Sequence, residues 1–436
     1  MRWPPKDFKG TSEQAVLLNR RIIVGICGGI ASYKAVELVS RLQQAGALVD
    51  VIMTKHAEDF VRPLTFSTVS HRPVYTDLWE PSGRAAETHI ALAEEAELLA
   101  VVPATANTIA KLAHGMADNM LTTVALATKA PLLLAPAMHE GMYTHPATSA
   151  NLTLLRTRGA VILEPDVGRL ASGMIGLGRL PDTPVLLGAI SMVLGRNGDL
   201  AGRRVVVTAG GTQEPIDPVR YVGNRSSGKM GYALAAEARD RGAHVILISG
   251  PVALEAPYGV VVQRVETAMQ MRNAVHSAIA GADVLVMSAA VSDFRPAVPA
   301  AQKLKKAEVA EVGGTQVDDE EGFSVRLVRN PDILEELAEV LDGQTTNAMP
   351  KRRLLRVGFA AETRELTTYA RAKLAAKRLD LLVANDVSRA DSGFGAETNK
   401  VYIFHATGAV EDLPVMLKAD VAAAIWDRIV LLLSTT

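Results

Sequence analysis

RRIIVGICGGIASYKAVELVSRLQQAGALVDVIMT, residues 20–54, reads as one complete strand–turn–helix–strand unit. RIIVGI (21–26) is a run of branched aliphatics, the residue types that fit a buried strand. CGGIAS (27–32) supplies paired glycines for a tight turn, and YKAVELVSRLQQAG (33–46) continues as a helix that stops at Gly46. Within it Val36, Val39 and Leu42 recur at helical spacing, while Glu37, Arg41 and Gln44 face elsewhere. LVDVIMT (48–54) is the next strand, so the stretch is a βαβ unit and predicts a parallel sheet with crossover helices.

Outward from this unit, ELLAVVPA (97–104), APLLLAPAM (130–138) and GAVILEP (159–165) read as further strands, with a helix-like segment at 105–113. Residues 1–20 carry Pro4, Pro5 and mixed charge without a period, and are expected to be an N-terminal extension to a domain at 21–194. GRNGDLAG (195–202) is a Gly/Asn/Asp-rich break and reads as a linker. The chain then restarts with RRVVVTAGGT (203–212), an echo of RRIIVGICGG (20–29). A helix over ALAAEARDRGA (233–243) and strands at HVILISG (244–250) and GADVLVMSAAV (281–291) make 203–436 a second domain. The expected fold class is α/β: two Rossmann-like doubly wound domains, the first flavodoxin-like.

Composition agrees. The 436 residues suit two cores, and hydrophobic residues make up 48% with only 4% aromatic, an aliphatic bias typical of buried parallel strands. A net charge of −1 offers no global attraction to nucleic acid or an anionic membrane. The single cysteine, Cys27, excludes an internal disulfide framework and fits a reducing compartment. No apolar run approaches the roughly 20 residues that span a bilayer, and the apolar run after Arg20 and Arg21 lacks a signal-type cleavage site. A cytoplasmic location is expected.

A strand, paired glycines and a helix N-terminus form a phosphate cradle, because free backbone N–H groups and the helix dipole point at an anion. The dinucleotide fingerprint fails: the glycines fall at 25, 28 and 29, and Asp50 lies at the beginning of the second strand rather than its end. In the second half, Gly223 through Gly228-Lys229 has P-loop spacing, but Met230 stands where Mg²⁺ needs a hydroxyl, and EPIDPVRYVG does not read as a buried strand.

GGIASYK (28–34), Thr54, HIALAEEAELLAVVPATANTIAKLAHGMADN (89–119), APAMHEGMYTHPAT (135–148) and GRLASGMIGLGR (168–179) resemble the flavin-dependent cysteine decarboxylases, more narrowly the phosphopantothenoylcysteine decarboxylases. The resemblance spans roughly residues 21–185. It implies an FMN site lined by Gly28, Gly29, Thr54, Thr105, Asn107 and Met138, with His89 as the active-site base or orienting group. The chemistry explains such a cofactor. A carboxylate beta to a saturated thiol carbon has no electron sink, and a flavin supplies one by oxidising the thiol and later returning a hydride.

Two positions depart from that pattern. His139 follows PAM where an Asn usually holds the substrate carboxylate, and Ser172 stands in the flap where a Cys is usual. A thiol, with a pKa of about 8.5, is a far better acid than a serine hydroxyl. Three readings follow: His139 as imidazolium binds the carboxylate and donates the proton; another flap group or water donates it; or this half binds FMN and assembles the oligomer without completing catalysis, serving an active partner domain as a regulatory module.

AGGTQEPIDPVRYVGNRSSGKMG (209–231), SAAVSDFRP (288–296), KLKK (303–306), NPDIL (330–334), GFAAET (358–363) and AND (384–386) resemble phosphopantothenate–cysteine ligase, over nearly all of 202–430. That resemblance implies CTP-dependent activation of a carboxylate as an acyl-cytidylate, then attack by the cysteine amine. Arg220 and Asn224 would hold the acyl intermediate, Asn224 as an oxyanion or amide-orienting group. Lys303, Lys373 and Lys377 would face the triphosphate. Asp293 and Phe359 are candidates for the nucleotide's sugar and base, and Ala289, Asn330, Pro331, Asp332 and Ile333 for its surroundings. Mg²⁺ is expected with CTP, with no ligand set readable. Together the two resemblances imply a fused bifunctional enzyme making 4′-phosphopantetheine, in a trimer-based homo-oligomer up to a dodecamer.

Overall fold

The computed structural model describes residues 15–79, 88–304, 317–318, 322–343, 353–362, 366–386, 393 and 395–435. The chain forms two compact units, Met1–Arg196 and Asn197–Thr436. Most of the expected N-terminal extension, residues 1–14, lies outside the described residues; of the remainder, Leu17 is buried.

The first unit opens with β1 (Arg21–Ile26), α1 (Ser32–Gln44) and β2 (Leu48–Met53). It continues through α2 (Pro63–Ser70), β3 (Val74–Tyr75), α3 (Thr88–Glu95), β4 (Leu98–Ala104), α4 (Ala106–His114) and α5 (Met120–Ala127). β5 (Leu132–Pro136), α6 (Glu140–Tyr143), α7 (Pro146–Thr157) and β6 (Val161–Ile162) follow. A hairpin of β7 (Asp166–Arg169) and β8 (Ile175–Arg179) leads to α8 (Thr183–Gly195).

The parallel sheet runs β3-β2-β1-β4-β5-β6, a doubly wound order. The two-residue β3 is an edge; the longer strands alone keep the flavodoxin-like order. β1 and β4 are buried almost throughout, because helices cover both faces of the sheet. One sheet face rests on a core of Ile23, Leu99, Val101, Ile109 and Leu134. The expected strand at 159–165 is only two residues of ladder, since the chain leaves the sheet to form the hairpin.

The second unit contains β9 (Arg204–Ala209), β10 (Gln213–Pro215), β11 (Tyr221–Gly223), α9 (Lys229–Asp240), β12 (His244–Ser249) and β13 (Val261–Arg264). Next come α10 (Ala268–Ala278), β14 (Val284–Met287), β15 (Phe294–Pro296), β16 (Val317–Asp318), β17 (Gly322–Phe323), β18 (Leu327–Arg329) and α11 (Ile333–Gly343). β19 (Leu355–Glu362), α12 (Leu366–Ala376), β20 (Leu381–Asp386), β21 (Thr398–Asn399), β22 (Val401–His405), β23 (Val410–Asp412), β24 (Met416–Leu417) and α13 (Lys418–Thr435) complete it.

Its sheet runs β13-β12-β9-β14-β19-β20-β22-β23, parallel up to β20 and antiparallel at β22 and β23. α9 and α13 cover one face, where Trp426 is fully buried and its indole N–H donates to the Leu234 carbonyl at 2.9 Å. β10 and β11 form a separate antiparallel pair, so no buried parallel strand leads into the P-loop-like spacing at 223–229. Among the described residues no helix is long and apolar enough to cross a membrane.

Candidate functional site

Each sheet reverses its strand order once, and a doubly wound sheet takes ligands at the carboxyl ends of the strands at that reversal. In the first unit the point lies between β1 and β4. The turn after β1 is pressed against the turn after β2: the Thr54 N–H donates to Ile26 at 2.9 Å, and a Cβ on Gly28 would stand 2.6 Å from the His56 Cβ and 2.7 Å from its carbonyl. Only glycine fits there. The nearest atom to a Cβ on Gly29 is the Thr105 Cγ2, at 3.9 Å, which sets the start of α4 beside the same turn. Among the described residues the Gly28 and Gly29 N–H groups donate to nothing, leaving donors free for an anion. Thr105 caps α4, and Asn107 stands exposed in that helix's first turn.

Cys27 lies beneath this turn, fully buried, with its thiol 3.2 Å from the Thr108 hydroxyl. Burial pushes its pKa up, against the opposing pull of hydrogen bonds from Thr108 and Thr105. It therefore cannot replace the thiol missing from the flap. Asp50, 4% exposed, is gripped by Arg72 through bonds of 2.8 and 3.0 Å, which removes it from any ribose.

The β7–β8 hairpin seats on the segment after β5. The Met138 N–H donates to the Gly178 carbonyl at 3.1 Å. Gly178 has a φ of +139°, and a Cβ on it would land on the Met138 carbonyl oxygen; one on Gly176 would meet the Glu140 carboxylate. Arg179 is tied to Asp182 at 2.7 and 2.9 Å, anchoring the hairpin base. Ser172 is exposed at the hairpin tip. His139 caps α6, its Nδ1 accepting the Gly141 N–H at 3.1 Å. With Nδ1 accepting in the cap, Nε2 is the ring atom left to meet a ligand. His89, half-buried at the start of α3, makes no hydrogen bond to these groups.

In the second unit the reversal lies between β9 and β14. Gly211 bridges to Ala290, and a Cβ on it would stand 2.7 Å from the Asn224 carbonyl. The Asn224 side-chain N–H groups donate to the carbonyls of Ala290 (3.2 Å) and Val291 (3.4 Å). The end left over is Oδ1, an acceptor, which suits orienting an amine rather than donating to an oxyanion. Ala289 is held on the same loop, its N–H donating to the Thr208 hydroxyl at 3.1 Å.

Arg220 is held in place: it donates to the Leu304 carbonyl at 2.6 Å and lies 3.5 Å from Asp217. The buried Asp217 accepts from the N–H groups of Val219, Arg220 and Leu304 at 2.7, 2.8 and 3.2 Å. Burial raises its pKa, but those donors and the Arg220 guanidinium outweigh it and hold the carboxylate below its usual range. The pair thus pins the backbone beside the exposed Lys303; Lys305 and Lys306 lie outside the described residues.

Asn330 fastens the β14 loop, donating from its backbone to Asp293 and from its side chain to Ser292, both at 2.8 Å. Asp332 caps α11 and pairs with Lys377 at 2.6 Å, which holds that ammonium beside the NPDIL segment. The Ile333 side chain, 4% exposed, belongs to the hydrophobic core, so any contact it makes with a nucleotide would be through its backbone; the half-buried Phe359 packs on the core as well. Asp293 is exposed, Pro331 half-buried, and Lys373 lies in the last turn of α12, four residues before Lys377 just past its end. Sequence reading did not single out His56, Glu140, Thr212, Asp217 or Ser292, although the last four lie inside stretches that carry the resemblances. Among the described residues no cluster of His, Cys, Asp and Glu could hold a metal ion.

Two family models match the chain: one described as Flavoprotein over residues 11–195, the other as DNA/pantothenate metabolism flavoprotein C-terminal domain over 200–432. The chain is 46% identical over 424 residues to the coenzyme A biosynthesis bifunctional protein CoaBC of Bacillus subtilis (strain 168), covering 97% of this chain and 99% of that one. This chain belongs to the CoaBC family. The CoaBC of Escherichia coli (strain K12) is 41% identical, with 95% of this chain and 97% of that one covered. A crystal structure of the C-terminal domain of a CoaBC protein aligns at 36% identity and a TM-score of 0.43, covering 55% of this chain and all of that one.

Proposed function

We propose that the chain joins cysteine to 4′-phosphopantothenate at the expense of CTP in its second unit. Its first unit then decarboxylates 4′-phosphopantothenoylcysteine to 4′-phosphopantetheine with FMN. The observation that carries this reading over one in which the first unit only binds flavin is the seated hairpin, whose Gly176 and Gly178 match Met138–Glu140 atom against atom. A flap with no substrate to enclose has no need of that fit.

The flavin supplies the electron sink for carbon dioxide loss. Gly28, Gly29, Thr54, Thr105, Asn107 and Met138 would hold it, with free N–H groups of the glycine turn meeting its phosphate. His139 would receive the substrate carboxylate through Nε2, and its cap supports a positioning role. Ser172, another flap group or water then supplies the proton. In the second unit, Asn224 Oδ1 would orient the attacking amine, while Lys303 and Lys373 would meet the triphosphate with Mg²⁺. Arg220 and Asp217 act by placing the Lys303 loop. A cytoplasmic homo-oligomer built on trimers, up to a dodecamer, completes the proposal.

The test is to purify the chain, record its visible spectrum, and follow phosphopantothenate, cysteine, CTP and Mg²⁺ by mass spectrometry. A yellow protein yielding phosphopantetheine supports both halves. One that stops at phosphopantothenoylcysteine overturns the decarboxylase and favours a flavin-binding assembly module.

Gly28→Ala is expected to yield a colourless chain, because the added methyl drives the turn off the His56 backbone; the flavin absorbance of the purified variant checks it. Asp217→Asn is expected to raise the apparent KM for CTP by loosening Leu304, with decarboxylation unchanged. Because the folded pKa of Asp217 is lowered, its stabilising contribution is present above the unfolded value of about 4 and is lost as pH falls through the folded value. The stability gap between wild type and Asp217→Asn, read in urea melts, should therefore close on acidification.

A further inference from the structure

Ser292 is 5% exposed and lies on the loop leaving β14, between the half-buried Val291 and the exposed Asp293. Its backbone is fully engaged: the N–H donates to the Thr212 hydroxyl at 2.9 Å and the carbonyl accepts from the Asn330 amide at 2.8 Å. Among the described residues its hydroxyl alone has no hydrogen-bond partner. A buried hydroxyl without a partner carries the cost of its lost hydration with no return, a cost that alanine would not carry. Such a group in a core has no account. Here it stands where the strand order reverses, on a loop held from three sides by Thr212, Asn224 and Asn330. A fixed backbone with one unspent donor is a preorganised binding group, and rotation about χ1 alone re-aims it.

We propose that the Ser292 hydroxyl donates a hydrogen bond to an oxygen of the nucleotide bound in this crevice, and so contributes to nucleotide affinity. The inference rests on the ligase reading above. Ribose hydroxyls and phosphoryl oxygens share the required acceptor chemistry, and the experiment separates them.

Wild type and Ser292→Ala, both as the full chain, are compared in two measurements. The first is unfolding without ligands, followed at the buried Trp426 in a Trp3→Phe, Trp79→Phe background. The variant is expected to be at least as stable as wild type, the opposite of what a structural hydroxyl gives. The second is ligation with CTP and with 2′-deoxy-CTP. The KM for CTP is expected to rise about tenfold, the worth of one hydrogen bond, with kcat little changed. A rise confined to CTP identifies the ribose 2′-hydroxyl, and an equal rise with both nucleotides identifies another nucleotide oxygen; either supports the inference. Unchanged KM values, or a less stable apoprotein, would overturn it. A wild-type chain that forms no acyl-nucleotide would overturn the ligase reading instead, and that control is run first.

Discussion

Gly178→Ala is expected to lower decarboxylation at least about 100-fold, the cost of misplacing a catalytic element by about 1 Å. The added Cβ meets the Met138 carbonyl, and at a φ of +139° an L-residue is strained even in open space. The hairpin must lift, and the Met138 N–H loses its bond to Gly178. Gly173, at the hairpin's other end, has nothing within 4 Å of its Cβ direction, so Gly173→Ala controls for strain alone and should cost far less. Ligation, a property of the other unit, should be unchanged in both variants, and flavin absorbance should be retained. Mass spectrometry of the two products from one incubation measures all of this. A yellow Gly178→Ala chain that decarboxylates at the wild-type rate would show that the seated hairpin is not needed.

The second large effect is on stability. Arg241 joins α9 to α13, bonded to Glu237 at 2.8 Å, to Asp427 at 2.6 Å and to the Ala423 carbonyl at 3.3 Å. Asp427 is half-exposed, so its share is screened, but Glu237 is 7% exposed and depends on the guanidinium. Arg241→Met is expected to destabilise the second unit by about 3–5 kcal/mol near neutral pH, because it leaves a buried carboxylate unpaired. Burial already raises the Glu237 pKa against the opposing pull of Arg241, and removing the arginine raises it further. An acid with a raised folded pKa stabilises fully below its unfolded value and loses that stability as pH rises through the folded value. The deficit should therefore shrink as pH falls toward 5. Urea melts followed at Trp426, whose indole bonds Leu234 on α9, in a Trp3→Phe, Trp79→Phe background read the transition at the junction concerned. A deficit independent of pH would mean that lost packing of the arginine stem, rather than the stranded carboxylate, sets the cost.

Much of the fold was legible because its signals are local. Aliphatic runs, glycine turns and helical spacing at 20–54 and 203–250 each depend on residues close in sequence, and both doubly wound sheets follow from them. The β7–β8 hairpin was not legible as strands, because IGLGR carries no alternation; its ladder is licensed by what it packs on. Asp217 and Ser292 lie in stretches that carry the ligase resemblance, but nothing local marks either residue within them.

The sequence alone determined the α/β class, the exclusion of a dinucleotide fingerprint and of a P-loop, the family resemblances and the glycines of the first cradle. Each rests on residue type at a set spacing, which chain order records directly. Only the tertiary structure decided which candidates are free to act: that His139 spends Nδ1 on a helix cap, that Lys377 is held by Asp332, that Arg220 grips Leu304, and that Ile333 belongs to the core. Hydrogen-bond partners and burial are set by contacts between segments distant in sequence. A side chain's chemistry is written in the sequence; what remains unspent of it is settled by those contacts.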